Sequence, residues 1–146
     1  MTPTRNELIA QAQVALQETI WHGRIRFRAL AKQHGLTAPQ ASILLFIDRN
    51  GRDATMSECA DALELPPSSV TSIVARLVDL GLVERGERKE DRRVVTALLT
   101  PAGQELVRTI AATRGGYFSQ LLNDVDDSDV AHFGGVLETI RRTMAS

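Results

Sequence analysis

The chain is poor in cysteine, aromatics and long apolar runs, and each shortage closes off a class of protein. Its one cysteine, Cys59, has no partner for an internal disulfide and leaves no cysteine pair for zinc, which fits a reducing compartment. Aromatic residues make up 4% of the sequence, too few for the stacking platforms that hold single-stranded nucleic acid. No run of about 18 consecutive apolar residues occurs, so no membrane-spanning helix is expected. The first residues lack the charged-then-apolar pattern of a secretory leader, and a cytoplasmic location is expected. His22, His34 and His132 have no partner one helical turn away, which argues against a metal site. A Gly-rich phosphate loop and a Gly-x-Ser-x-Gly elbow are missing too, and clustered Asp124, Asp126, Asp127 and Asp129 read as a loop and helix start favoured by the helix dipole. Neither enzymatic activity nor a cofactor is expected.

What the chain does have is 43% hydrophobic residues in 146, enough for one domain with a core. Its net charge of −1 shows no basic excess, so any surface for double-stranded DNA must be local.

Residues 5–31 hold no proline and one glycine, and Ile9, Leu16, Ile20, Phe27 and Leu30 recur at helical spacing. Val14, Trp21 and Ile25 form a second apolar face, so this helix needs two partners. At 1.5 Å per residue it spans about 40 Å, more than a small domain requires. A second subunit could supply one partner; burial in the chain's own core is the alternative.

Thr37 with Gln40 three residues on, and Pro39 between them, opens a second helix that stops at Asn50-Gly51. A third begins near Met56, capped by Thr55 with Glu58 or by Ser57, and ends before Pro66. Pro66-Pro67 then opens a fourth, because the first turn has no use for the missing N–H. Its apolar face is Val70, Val74, Leu77 and Leu80, and Gly81 provides a left-handed stop. The short-turned helices after residue 36 make a helix-turn-helix core.

Extended pieces at 82–85 and 94–99 flank a charged stretch at 86–93, which predicts a hairpin with a polar tip. Thr100 and Pro101 launch a helix over 102–122, and a last helix runs from about residue 127 to 144. Gly115-Gly116 and Gly134-Gly135 fall inside these two, where a bend or a close helix crossing is expected. The expected fold class is therefore mainly α, a winged helix-turn-helix lobe at 36–100 flanked by long helices at 5–33 and 101–145.

A helix fits the major groove of B-DNA, and a hairpin reaches an adjacent minor groove. The outer side of the fourth helix carries Ser68, Ser69, Thr71, Ser72, Ala75, Arg76 and Asp79. Small hydroxyls let a helix sit deep and donate to phosphate, although Ser68 and Ser69 could equally cap the helix. Arg76 is suited to a phosphate or a guanine edge. The hairpin stretch 84–93 holds five basic and four acidic residues, so its sign alone does not make it a DNA arm; its position as a wing does.

Residues 56–103, MSECADALELPPSSVTSIVARLVDLGLVERGERKEDRRVVTALLTPAG, resemble the MarR family of regulators. Val70-Thr71, the 80–85 stretch LGLVER, and Asp91-Arg92-Arg93 leading into Leu98, Thr100 and Gly103 carry the likeness. The resemblance implies a homodimer whose terminal helices interlock and whose two lobes grip successive major grooves of a pseudo-palindromic site. It also implies that Asp91 orients Arg93 for the minor groove or backbone, with Arg88, Lys89 and Arg92 as further phosphate contacts. Repression is expected, as is a small aromatic or amphipathic effector in a crevice where Trp21, Phe27 and Phe46 are the candidate lining residues; core packing is the plainer role for these three. Ser72 stands where many relatives have arginine, so their operator preference does not transfer. Cys59 takes a position usually held by leucine and reads as a small packed hydrophobe. The competing reading is a winged-helix module that binds protein and not DNA.

Overall fold

The computed structural model describes residues 2–51 and 53–146, and within them the chain forms six helices and three strands. The first helix, α1 (Arg5–Gln33), starts in a capping box in which the Thr4 hydroxyl accepts the Glu7 N–H and the Glu7 carboxylate accepts the Thr4 N–H. Helix α2 (Ala38–Arg49) repeats the device with Thr37 and Gln40, and α3 (Met56–Leu63) repeats it again with Thr55 and Glu58. The cap of α3 is thus Thr55, not Ser57.

Helix α4 (Pro67–Asp79) begins differently, with Pro66 in the cap position and no side-chain hydrogen bond there. It closes as a Schellman motif: the Leu82 N–H donates to the Leu77 carbonyl at 3.0 Å and the Gly81 N–H to the Val78 carbonyl at 2.9 Å. Gly81 adopts φ +71°, the left-handed conformation that makes glycine the residue for this stop. Val70, Val74 and Leu77 are buried as the spacing predicts, whereas Leu80 sits in the C-cap and is 39% exposed, so the inward face is completed by half-buried Ile73 and Val78.

Strands β1 (Asp53–Thr55), β2 (Val83–Glu87) and β3 (Val95–Leu99) form an antiparallel sheet in the order β1-β3-β2. Strand β1 was not expected from the sequence. It is three residues long, and it becomes a strand only because Asp53–Thr55 meets Leu98–Thr96 across the sheet. The hairpin also pairs further than its apolar residues indicate, with Gly86 opposite Thr96 and Glu87 opposite Val95.

One apolar cluster fixes this lobe, running from Ala31 and Leu36 through Ile43, Leu44, Ile47, Cys59, Val70, Val74 and Leu77 to Val83, Ala97, Leu99 and Val107. Helix α5 (Pro101–Leu121) is anchored to the hairpin at its start: the Thr100 hydroxyl donates to the Gly81 carbonyl at 2.7 Å and accepts the Gly103 N–H at 3.1 Å. A Cβ on Gly103 would collide with the Leu82 carbonyl, so only glycine lets α5 approach this closely. These contacts tie Gly81, Leu82, Thr100 and Gly103 into one junction between the hairpin and α5.

The chain divides into two compact units, the first ending at Ile110 and the second covering Ala111–Ser146. In the second unit α5 continues unbroken through Gly115-Gly116, and α6 (Asp127–Ala145) runs unbroken through Gly134-Gly135. A Cβ at any of these four glycines would meet nothing within 4 Å, so neither pair marks a close crossing of α5 and α6 within this unit. No residue of α6 is buried, and Phe133, Val136, Leu137 and Ile140 are open to solvent.

Candidate nucleic-acid interface

Two elements of the first unit present the candidate DNA-contacting residues. On α4, Ser68, Thr71, Ser72, Arg76 and Asp79 are exposed, while Ser69 and Ala75 are half-buried at the edge of the face. Neither Ser68 nor Ser69 serves as the helix cap, since Pro66 occupies that position and its carbonyl accepts the Ser69 N–H at 3.0 Å. The Thr71 hydroxyl donates back to the Pro67 carbonyl at 3.0 Å, which leaves its oxygen able to accept. The face is therefore short-chained and polar around one long cation, Arg76.

The hairpin tip lies between β2 and β3. The Arg88 N–H donates to the Val94 carbonyl at 3.2 Å and the Val94 N–H to the Asp91 carbonyl at 3.0 Å, closing a tight turn. Asp91 organises its far end: one carboxylate oxygen accepts the Arg93 N–H at 3.0 Å and the Arg93 Nε–H at 3.2 Å. These bonds from the Arg93 side chain, then from its backbone, hold the Asp91 carboxyl below its ordinary range. Arg93 itself is 92% exposed on its side chain, so the acid fixes the direction of the guanidinium without covering it. Lys89 and Arg92 are exposed beside it.

Arg88 behaves otherwise. Its Nη2 donates to both carboxylate oxygens of Glu58, at 2.8 and 2.9 Å, and the pair is half-buried against the first turn of α3. The family resemblance implies a phosphate contact for Arg88; here its guanidinium turns back onto the lobe.

A crevice of about 290 Å³ lies where α1 meets the start of α2, the end of α3 and the connection that follows it, lined by Arg24, Phe27, Arg28, Pro39, Ser42 and Leu65 among others. Of the three aromatic candidates, Phe27 lines it. Trp21 is elsewhere on α1 and 65% exposed, and Phe46 packs against the core cluster. Arg24 and Arg28, one turn apart, were not singled out from the sequence; their i, i+4 spacing beside Phe27 was the available signal.

Cys59 is fully buried, and burial first, then the neighbouring Glu58 charge, pushes its thiol up to about 11. The thiolate needed for redox chemistry is thereby suppressed at neutral pH. Among the described residues no group of three or more histidine, cysteine or acidic side chains is placed to hold a metal ion.

Residues 34–94 match the MarR family model. The chain is 26% identical over 144 residues to the HTH-type transcriptional regulator YsmB of Bacillus subtilis, covering 99% of this chain and 98% of that one. It is 25% identical to the HTH-type transcriptional repressor MdtR of the same organism, over 86% of this chain and 80% of the relative. Its fold superposes on a MarR family protein from Bacillus stearothermophilus with a TM-score of 0.87, covering 99% of this chain and 100% of the other at 22% identity.

Proposed function

We propose that the chain is a MarR-type DNA-binding repressor that grips a pseudo-palindromic operator as a homodimer, a reading supported by the match of residues 34–94 to the MarR family model and by the likeness to curated HTH-type regulators. The observation that carries this reading is the Asp91-Arg93 pair, which spends a carboxylate on aiming a guanidinium that stays almost wholly in solvent. A pair serving stability alone would gain little from so exposed a position. In contact with DNA the same guanidinium meets phosphate or the narrow minor groove of an A-tract, where the negative potential is deeper. The Ser68, Thr71, Ser72 and Arg76 face of α4 is then the part that enters the major groove, with Ser69 at its edge.

The dimer reading rests on the apolar residues that α1 and α6 leave in solvent, among them Ile9, Leu16, Ile20, Val136 and Ile140. Isolated exposed apolar residues are ordinary, but rows of them on helices of this length mark association surfaces. The crevice at Phe27 supports release by a small amphipathic effector, since it joins an aromatic wall to two arginines at the root of the lobe. Such an effector acts only through different affinities for the DNA-competent and incompetent states.

The test is binding to DNA upstream of the protein's own coding region, wild type against Arg93→Ala over a salt series. Salt-dependent wild-type binding that falls at least tenfold in the variant, with a shallower salt slope, is expected. Weak binding indifferent to Arg93→Ala, together with failure to select any genomic fragment, would favour the winged-helix protein-interaction module. The net charge of −1 and the serine at position 72 are the features that fit that alternative.

A further inference from the structure

The wing carries four cations beyond β2, and they fall into two kinds. Lys89, Arg92 and Arg93 are exposed; Arg88 is half-buried on Glu58. Glu58 is not a casual surface partner. It is the third helical residue of α3, and its Oε2 already accepts the Thr55 N–H at 2.8 Å while its own N–H donates to the Thr55 hydroxyl at 3.1 Å. Thr55 in turn ends β1, paired opposite Thr96 of β3. One carboxylate therefore binds the β1–α3 corner and the first residue of the hairpin tip, 30 positions apart in sequence.

We infer that Arg88 is a wing-positioning residue, with Glu58 as its anchor, and that it does not contact DNA phosphate. The inference rests on the DNA-binding reading above and deepens it by dividing the wing into a strut and a set of contacts. The geometry gives the reason. A two-stranded arm is held only by its ladder and turn, so an ion pair from its base to α3 restricts how it swings relative to α4. That restriction keeps Arg93 at a fixed spacing from the α4 face, and ordering the arm in advance removes part of the cost of ordering it on DNA. Arg93 keeps 92% of its side chain in solvent beside its carboxylate, whereas Arg88, 37% exposed and bonded through Nη2 to both Glu58 oxygens, would have to leave Glu58 to reach a phosphate.

Counterion release separates the two roles. Each phosphate neutralised contributes about 0.9 to the slope of log affinity against log salt. In Arg88→Met and in Glu58→Gln, which keeps an oxygen for the Thr55 N–H, affinity for a selected fragment is expected to fall about 3- to 10-fold with the salt slope unchanged. The double variant should lose no more than the worse single one. A slope reduced by about 0.9 in Arg88→Met, or tighter binding in Glu58→Gln, would overturn the inference. Hydrogen exchange on the free protein gives a readout independent of DNA: both variants should speed exchange at the Arg88 and Val94 amides while core amides of α2 stay protected. Unchanged wing exchange in both would overturn the strut even if the protein bound no DNA, so its failure is distinct from failure of the regulator reading.

Discussion

The winged lobe and the long helices solve burial in opposite ways. Between Ala31 and Val107 the apolar residues of α2, α3, α4 and the sheet close on one another, and Ile43, Leu44, Ile47, Val70, Val74 and Leu77 are fully withdrawn from water. Over the first five turns of α1 and along α6 the same residue types stay open, including Trp21, Leu137 and Ile140. The chain has enough apolar residues for both regions, but only the lobe brings sheet, turns and short helices together at the spacing a core requires. The teaching is one of division: a part that completes itself and presents side chains, and a part whose completion is proposed to come from a second copy.

Truncating an apolar side chain separates the two regions most strongly. Leu77→Ala in the lobe is expected to cost about 3 kcal/mol, since a fully buried leucine leaves both lost contacts and a cavity, and denaturant unfolding would measure it. Ile140→Ala on α6 removes a similar side chain and, at concentrations where the protein is monomeric, should cost under about 0.5 kcal/mol. At higher concentration it should weaken self-association. Equal costs for the two in the monomer would contradict the division.

A smaller loss is expected where the regions are stitched together. Gly103→Ala pushes a methyl group into the Leu82 carbonyl, and because backbone yields poorly the change should cost about 1–3 kcal/mol, read as a lowered Tm. Retained stability would mean that α5 has freedom to retreat from the hairpin.

Acid sharpens the picture within the lobe. The Thr55 N–H, and to a lesser degree Arg88, hold Glu58 below its ordinary value against an opposing effect of burial. A carboxyl depressed in the folded state contributes stability that is present above its unfolded pKa and is lost as pH falls through the folded one. The melting temperature should therefore drop below roughly pH 4.5, and the drop should be shallower in Glu58→Gln. Because the pair is more than a third exposed, this is the smallest of the effects.

Much of this was legible in the sequence. Three-residue spacings of Thr with Gln or Glu placed the starts of α2 and α3, the Pro66-Pro67 pair and Gly81 bounded α4, and the 80–103 motif located the hairpin. What escaped was non-local. Strand β1 has no alternation of its own and is defined by β3; the Arg88-Glu58 pair joins residues whose local context pointed only to a cap and a charge run. Leu80 keeps helical phase but falls where the chain turns away, so phase alone misplaced it. The exposed hydroxyls of α4 and the Asp91-Arg93 pair at the hairpin tip were readable because both are local patterns. The crevice at Phe27 was half readable, for its arginines come from α1 but its other walls come from α2 and the α3–α4 connection.

The most direct test of the two-part account is a hydroxyl-radical footprint of the wild-type protein on a genomic fragment it selects. Two protected patches centred about 10 bp apart, one helical turn, are predicted, as two lobes held by paired helices require. A single patch covering one half-site at saturating protein would contradict it.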